Sequence, residues 1–446
     1  MTPVLKKTLW PLLCFAAGLV CVCVCAAVFM LQGQEATFQL VSEGSRVTSS
    51  WVRAMLTSGT KPQKAQRSTQ LASLDTRPPS HLPRFIIPVN DRPGIGNAVA
   101  EYNYSLRRAQ EYNLTFIHTP IFCARVRDDA CNELFQTASL NPTWTVPAIR
   151  NAIDKGFLRE VIIEDGRNFS DVMEREQGGG IVFTLGRIHN DYVFEHTADF
   201  WARAYHRARA IELTNYESPA HLPHCQLLPA NMRAPRLVHI AIHVRHGDIM
   251  RMARSHAHNQ HVLRFLPNHY FIGVLRELHT MLPANLTTVT VFTDGDARSV
   301  REIVANFPGH SKILAASAAD DGTESLKALA ASDILIGSKS GYTQLAALLS
   351  GDSIKIVPRW WWPSYAGMAN VVRADAHGKN RGELKRTFRA AWEAYVEGYE
   401  GAAPEACHGR SVKEMRKLRD AVAAFEDRNK HGAHGRRMAS GRSRAS

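Results

Sequence analysis

Three clusters of polar residues lie in the second half of the chain, and two of them offer groups that bind an anion, an arginine and a serine-rich loop. A guanidinium binds a phosphate through two parallel N–H···O hydrogen bonds. The backbone amides of a loop that leads into a helix can also bind a diphosphate. The pattern therefore predicts a phosphate-binding site. Two simpler alternatives are an Arg–Asp pair that caps a strand end and a serine that only caps a helix. The clusters are His243, Arg245 and Asp248 in LVHIAIHVRHGD, Asp294 in TDGD, and Ser338, Lys339, Ser340 and Gly341 in GSKSG.

Each cluster follows an apolar run that is predicted to be a buried strand. Strands alternate with helices over about 120 residues after Pro235, which is typical of a doubly wound parallel sheet. Ligands of such sheets bind beyond the carboxyl ends of the strands, so we expect the three clusters to converge. The predicted strands are residues 237–244, 289–293, 312–315, 333–336 and 353–357, and the predicted helices are residues 269–281, 297–306, 323–331 and 342–350.

A second α/β segment begins at Arg84. FIIPV is predicted to be a strand, and the glycine-rich turn NDRPGIGN leads into a helix over residues 97–112. Gly94 and Gly96 permit a close approach of the backbone, and the helix N-terminus favours an anion; a purely steric need for glycine is the alternative. Further strands are predicted at LTFIH, VIIE and GIVFTL, and a helix at residues 192–213.

The first apolar run is predicted to be a membrane anchor. Residues 9–31 contain no charge and reach the length of about 20 residues that one spanning helix needs. Lys6 and Lys7 precede the run, which predicts a cytosolic N-terminus and a luminal body. The alternative is a signal peptide cut after Ala26 or Ala27, although its apolar core would be longer than usual.

These patterns predict seven segments. Residues 32–83 are polar and rich in Ser and Thr, as expected of a stem, and two amphipathic helices are expected at residues 383–397 and 412–430. The aromatic segment PRWWWPSY before them is expected to pack at a domain junction. The segments are a cytosolic tail (1–8), the anchor (9–31), the stem (32–83), an N-terminal α/β domain (84–234), a C-terminal Rossmann-like domain (235–365), C-terminal helices (366–430) and a disordered basic tail (431–446).

The net charge does not indicate nucleic-acid binding. The formal charge is +13, but much of the excess lies in residues 408–446, and no helical stripe of Lys and Arg interleaved with aromatic residues occurs elsewhere. Four Asn-x-Ser/Thr sequons are glycan acceptors if the body is luminal. They lie at Asn103, Asn113, Asn168 and Asn285.

The cysteines suit disulfides rather than a metal. Four of the eight lie within residues 9–31, and an even number outside the apolar run is typical of an oxidising lumen. Cys123 with Cys131 would close a small loop, and Cys225 with Cys407 could tie a late helix to the middle of the chain, but the sequence alone establishes neither pairing. The sequence has neither a CxxC pair nor an HExxH motif, so no metal site is predicted.

Four short motifs resemble a known group of enzymes. HVRHGD resembles the HxRRxD peptide of the fucosyltransferase superfamily that includes α1,2-, α1,6- and protein O-fucosyltransferases. VFTDGDARSVREIVANFP resembles that group's strand ending in TDD and the helix after it, and SDILIGSKSGYTQLAALLSG resembles its serine-rich loop and small-residue helix. RPGIGNAVAEYNYSLRRAQ resembles its Gly-x-Gly-Asn turn. The four motifs occur in the superfamily's order within residues 84–357.

The resemblance implies a GT-B-like architecture, with two Rossmann-like domains that face a cleft. It also implies transfer of fucose from GDP-fucose to a glycan or protein hydroxyl, with inversion at the anomeric carbon and without a metal or other cofactor. With the predicted anchor, this describes a single-pass type II membrane enzyme of the Golgi or ER. No nucleic-acid partner is expected.

The resemblance also assigns roles by matching position. Arg245 would hold the β-phosphate and offset the charge of departing GDP, while His243 and Asp294 would contact the nucleoside end. Ser338, Ser340 and Gly341 would donate to the phosphates, and Gly96 with Asn97 would lie across the cleft. The complete expected donor-binding set is Gly94, Gly96, Asn97, His243, Arg245, Asp248, Asp294, Ser338, Lys339, Ser340 and Gly341.

Two departures from the superfamily's pattern leave alternatives open. His246 replaces the second Arg of HxRR, which weakens phosphate binding unless Lys339 compensates, and the Lys and Glu of α1,6-type enzymes are absent after Asp248. Asp91 and Glu101 flank the glycine turn and are the candidate general bases, or else ordinary carboxylates. Rival functions are a transferase for another nucleotide sugar and a non-catalytic luminal sugar-binding protein of the same fold.

Overall fold

The computed structural model of the chain describes most residues from Leu82 to Arg442, and these belong to one compact unit spanning residues 78–446. No helix among them is long and apolar enough to cross a membrane. The predicted anchor at residues 9–31 lies outside the described residues. The described ranges are 82–88, 94–121, 130–137, 144–187, 193–228, 230–254, 264–307, 311–315, 322–375, 381–399, 407 and 409–442.

The N-terminal half contains a four-stranded parallel sheet in the order β2-β1-β4-β3. Its strands are β1 (Phe85–Ile87), β2 (Thr115–Phe116), β3 (Arg159–Asp165) and β4 (Ile181–Arg187). The helices of this half are α1 (Ile95–Glu111), α2 (Ala130–Phe135), α3 (Val146–Asp154), α4 (Phe169–Arg175), α5 (Ala198–Leu213) and α6 (Pro223–Gln226).

The C-terminal half contains a six-stranded sheet, also parallel throughout, in the order β10-β9-β8-β5-β6-β7. Its strands are β5 (Val238–Val244), β6 (Thr287–Thr293), β7 (Ser311–Ala315), β8 (Ile334–Ile336), β9 (Ile354–Pro358) and β10 (Val371–Ala374). The connecting helices are α7 (Gly247–Arg254), α8 (Asn268–Leu278), α9 (Ala297–Ala305), α10 (Thr323–Ala330) and α11 (Gly341–Leu349).

The alternating strands and helices predicted from the sequence are present in both halves. Most boundaries agree with the prediction within two residues, but α5 begins at Ala198 rather than at residue 192. The strand β10 was not predicted, and it lies beyond residue 365, the predicted end of the second domain. In the aromatic segment expected to pack at a domain junction, Trp360 is 44% exposed, whereas Tyr365 is fully buried in a core that residues of both halves share.

One hydrophobic core lies between the two sheets. Alternate strand residues point to opposite faces, so Ile86 enters this core while Phe85 and Ile87 enter a smaller core on the other face of the first sheet. Helices from both halves contribute to the shared core, including Tyr205 of α5 and Leu345 of α11. The two predicted domains therefore share a layer of helices.

The opposite face of the second sheet is covered by α8 and two C-terminal helices, α12 (Arg381–Glu397) and α13 (Val412–Arg442). The helix α13 continues to Arg442, into the segment expected to be a disordered tail. Ala, Arg and Met in that segment are good helix formers, which favours this extension of the helix.

A disulfide ties the C-terminal helices to the middle of the chain. Cys225 in α6 is bonded to Cys407, with 5.1 Å between the Cα atoms, which is one of the two pairings that the sequence left open. Cys131 is also disulfide-bonded, and its expected partner, Cys123, lies outside the described residues.

Candidate functional site

The ends of β5 and β6 are held side by side by one carboxylate. Val244 pairs with Thr293, so the residues that follow each strand are neighbours. Oδ1 of Asp294 accepts the backbone N–H groups of His246 (2.8 Å) and Gly247 (2.9 Å). Asp294 therefore fixes the loop between β5 and α7, a structural role that the sequence did not reveal.

Arg245 forms a two-bond ion pair with Asp248. Its Nε lies 3.1 Å from Oδ1 and its Nη2 lies 2.6 Å from Oδ2. Burial raises the pKa of Asp248, but the hydrogen bonds and charge of Arg245 outweigh it, so this pKa lies below its ordinary value. The Arg–Asp pair named as the simpler alternative is thus present, and both side chains also line a cleft.

His243 is a buried, neutral imidazole that also lines the cleft. Its Nδ1 lies 2.5 Å from Oγ1 of Thr343 and 3.0 Å from Oγ of Ser338. Burial lowers the pKa of His243 to about 4, helped by the charge of Arg245 and opposed by nearby carboxylates. Nε2 makes no hydrogen bond to the described residues, so it is the ring nitrogen left for a ligand.

His246, which stands at the position of the second arginine, points away from the cleft. Its side chain is 4% exposed, Nε2 lies 3.0 Å from the carbonyl oxygen of Leu266, and the ring stacks on Phe265 at 4.8 Å between centroids. Nδ1 lies 3.4 Å from Oγ of Ser299. The imidazole therefore anchors neighbouring loops, and it does not line the cleft.

Only part of the serine-rich loop lines the cleft. Ser340 caps α11 by accepting the N–H of Tyr342 (3.2 Å), and Ser340 and Gly341 line the cleft. Ser338 is buried against His243, and neither Ser338 nor Lys339 lines the cleft. Burial and the nearby charge of Arg264 lower the pKa of Lys339.

The glycine turn lies at the cleft as predicted, and Gly94, Gly96 and Asn97 line it. Gly94 has φ of +87°, a conformation that L side chains rarely adopt, and it is the N-cap of α1. Of the two candidate bases, Asp91 lies outside the described residues. Glu101 is 1% exposed and does not line the cleft, which does not suit a base for an entering hydroxyl.

The cleft has a volume of about 410 Å³ and collects the N-termini of four helices, α1, α7, α10 and α11, of which α7 carries Asp248 in its first turn. The hydroxyl of Tyr342 donates to the carbonyl oxygen of Gly322 (2.5 Å), which ties the beginnings of α10 and α11 together. Sequence reasoning missed seven lining residues, although three of them directly follow a predicted site residue or end a predicted strand. The seven are Ile95, Phe292, Thr293, Leu314, Gly322, Ser325 and Tyr342.

One group of potential metal ligands exists among the described residues, away from the cleft. His224, Cys225 and Cys407 have their ligand atoms within 4.8 Å of one another. The two sulfur atoms are bonded to each other, so neither is a thiolate that could coordinate a metal.

No protein-family model and no curated protein matches the chain. Among solved structures, the chain is similar to NodZ α-1,6-fucosyltransferase soaked with GDP-fucose, at 15% identity and a TM-score of 0.33, covering 60% of this chain and 92% of that one. It is also similar to the heptosyltransferase WaaC of E. coli with ADP, at 13% identity and a TM-score of 0.33, covering 70% and 99%. For POFUT1 in complex with GDP-fucose, the identity is 13%, the TM-score 0.31 and the coverage 61% and 95%.

Fucosyltransferases, the group that the four motifs resemble, are thus among the similar structures, beside a heptosyltransferase. Because these identities and TM-scores are low, the function of this chain has to be inferred from the residues of its own cleft.

Proposed function

We propose that the protein is a glycosyltransferase that binds a nucleoside diphosphate sugar, GDP-fucose, in this cleft and transfers the sugar to a glycan or protein hydroxyl. The observation that carries the proposal is the position of Arg245. Its guanidinium lines a cleft at which four helix N-termini converge. The choice of fucose rests on the four sequence motifs.

The charges of the side chains in the cleft show why helix N-termini are needed to bind a diphosphate. Among the lining residues, Arg245 is positive while Asp248 and Asp294 are negative, so ionisable side chains alone do not attract a diphosphate. Each helix N-terminus acts as roughly half a positive charge, and backbone amides donate directly to phosphate oxygens. Together with Arg245, they supply the positive potential that a leaving diphosphate needs.

The proposed reaction is a single displacement. The acceptor oxygen attacks the anomeric carbon from the face opposite the diphosphate, the bond from that carbon to the β-phosphate oxygen breaks, and its electron pair leaves with GDP. Arg245 and the amides stabilise the charge that develops on the diphosphate, a task that fixed donors perform without a metal. The proton of the acceptor hydroxyl passes to solvent or to a general base, and none of the described residues is assigned as that base.

Nucleotide binding gives the direct test. In calorimetry with the full-length protein in EDTA, we expect GDP and GDP-fucose to bind, and UDP and UDP-sugars to bind more weakly by at least about tenfold, or 1.4 kcal/mol. Preference for a different nucleotide would favour a transferase with another donor. If the protein binds GDP-fucose but neither transfers the fucose to an acceptor nor hydrolyses the donor, the non-catalytic sugar-binding protein is favoured. A folded protein that binds no nucleotide would contradict the proposal.

We also propose that the catalytic region faces the lumen of the Golgi or ER, as the predicted anchor at residues 9–31 implies. In that location, the four sequons are expected to differ in whether they carry a glycan. Asn113, Asn168 and Asn285 are exposed, whereas Asn103 is fully buried and donates to the carbonyl oxygen of Val193.

Expression in a secretory host should therefore add glycans at up to three positions and leave Asn103 bare. Peptide mass spectrometry after enzymatic deglycosylation would identify the occupied sites. A glycan on Asn103 would contradict the packing around α1, and a protein that carries no glycan would count against the luminal location.

A further inference from the structure

The strand β3 lies at one edge of the first sheet and has an open side. It is the last strand in the order β2-β1-β4-β3, and no other strand of the described residues pairs with it. Arg159 donates its backbone N–H to the carbonyl oxygen of Gly180, beside β4. Every second residue of a parallel strand bonds to the same neighbour, so the backbone groups of Glu160, Ile162 and Glu164 point outward. Such a row of donors and acceptors is a template for pairing with another strand.

The middle of β3 also exposes an apolar side chain. Ile162 is 64% exposed, the largest fraction among the large apolar side chains that the structure describes. The side chains of Val161 and Ile163 point to the other face, where Ile163 is buried in the core between the sheets and Val161 packs against that core. The exposed isoleucine therefore stands at the centre of the three residues whose backbone groups point outward.

The sequence of β3, REVIIED, is self-complementary when two copies run antiparallel. If Ile162 faces Ile162 of a second copy, Arg159 lies opposite Asp165 at both ends, and Val161 lies opposite Ile163. All outward-facing residues then meet outward-facing residues, as the hydrogen-bonded pairs of an antiparallel ladder require. Opposite charges directly across such a ladder are stabilising.

One pair in this register carries like charges. Glu160 lies opposite Glu164 of the second copy. Glu160 is already paired with Arg150 of α3, whose Nη1 lies 2.6 Å from Oε2. The guanidinium therefore offsets the charge of the carboxylate that the second copy would meet.

Arg159 and Asp165 each have an ion-pair partner within their own chain. Arg159 lies 2.5 Å from Glu176, and Asp165 lies 2.7 Å from Arg167. The two arginine side chains are 57% and 71% exposed, and ion pairs between exposed side chains are weak. These pairs therefore do not hold Arg159 and Asp165 away from a second copy.

We propose that β3 pairs antiparallel with β3 of a second copy of this chain, so that the two first sheets become one continuous sheet across a two-fold axis at Ile162. The occupant is a second copy because the strand complements itself in charge, in its apolar centre and in its outward-facing backbone groups. Such an interface uses the same surface on both subunits. One strand edge is a small interface, so we expect a dissociation constant in the micromolar range. The inference does not depend on the proposed function.

A cysteine substitution at Ile162 tests the register directly. Opposite residues of a hydrogen-bonded antiparallel pair have Cα atoms about 5.5 Å apart, which lies within the usual range for a disulfide. Mild oxidation of full-length Ile162→Cys should therefore give a reducible dimer as the main species on a non-reducing gel. Wild-type protein shows the background from the native cysteines. The matched control is Ile211→Cys, since Ile211 on α5 is 48% exposed, and it should stay at that background.

An exchange of charges tests whether Arg159 faces Asp165. Arg159→Asp places like charges opposite each other at both ends of the pair, so the dissociation constant of the full-length dimer should rise about tenfold or more in sedimentation equilibrium. Adding Asp165→Arg exchanges the two charges and should return the constant to within about threefold of wild type. Arg203→Asp is the control, because Arg203 is exposed on α5 and its loss should leave dimerisation unchanged.

Three results would overturn the proposal, with circular dichroism to confirm that each variant is folded. The first is a wild-type protein that stays monomeric up to about 100 μM, well above the expected range. The second is a dimer that Arg159→Asp leaves intact or in which Ile162→Cys forms no disulfide, because the interface would then lie on another face. The third is a loss in Arg159→Asp that Asp165→Arg does not recover, which would contradict the register.

Discussion

Replacing Arg245 with alanine should lower the rate of sugar transfer by about 10²–10³-fold, as the loss of a preorganised donor to a developing charge does in other enzymes. The guanidinium is the only cation among the side chains that line the cleft in the described part of the chain. Its loss also leaves the Asp248 carboxylate without its partner, beside a ligand that is itself negative. Both effects weaken the stabilisation of departing GDP.

The measurement is steady-state transfer from GDP-fucose, with circular dichroism and thermal melting to confirm folding. Arg245→Lys should recover only part of the activity, because an ammonium keeps the charge but loses the planar fork. Arg167→Ala is the matched control. Arg167 forms a similar pair with Asp165 at the surface, with Nε 3.0 Å and Nη2 2.7 Å from Oδ2, and its loss should leave transfer unchanged. Undiminished transfer by folded Arg245→Ala would overturn the assignment.

The sequence predicted the sheet, its strand ends and the convergence of Arg245, Asp294 and Ser340 because these features depend on local patterns. Apolar runs of strand length, each followed by a helix, require a parallel sheet, and a parallel sheet brings its strand ends to one edge. The short strand β10 was missed because four residues carry little periodicity. Its pairing with β9 is what makes it a strand.

Contacts between distant residues could not be read from the same patterns. The environment of His246 is set by Leu266 and Ser299, which lie 20 and 53 positions away. A histidine after an arginine gives no sign of which way its ring will point. In the same way, the glycines of RPGIGN suggested close backbone approach without showing that the partner of Gly96 is the helix beginning at Gly341.

The candidate general base shows a second limit of prediction from the sequence. Glu101 follows Asn97 by one helical turn, so the two residues share a face of α1, and a role at the cleft was a reasonable expectation. One turn further along, however, α1 enters the core between the sheets, where the neighbouring Ala98 and Tyr102 are fully buried. Periodicity identifies the face of a helix, but it does not show how far along that face the cleft extends.

The largest expected loss of stability comes from a residue far from the cleft. Arg410, which precedes α13, has a side chain that is 0% exposed and lies 2.7 and 3.0 Å from the two carboxylate oxygens of Asp333. Its Nε donates to the carbonyl oxygen of Pro235 (2.8 Å). Asp333 also accepts the hydroxyl of Tyr395 (2.6 Å) and the N–H of His239 (2.8 Å). This network fastens the C-terminal helices to the amino end of the second sheet.

Arg410→Ala should lower the free energy of unfolding by about 3–5 kcal/mol, because it leaves a buried carboxylate without its cation. The exposed pair of Arg419 with Asp420 is the control, and Arg419→Ala should cost less than about 1 kcal/mol. Urea unfolding measures the free energy of unfolding of both variants.

The double variant Arg410→Met with Asp333→Leu should recover part of the loss, since it removes both charges. GDP affinity should be unchanged in folded Arg410→Ala, because Asp333 and Arg410 lie at the edge of the sheet opposite the cleft. A loss of stability no larger than that of Arg419→Ala would show that the network does not hold the C-terminal helices in place.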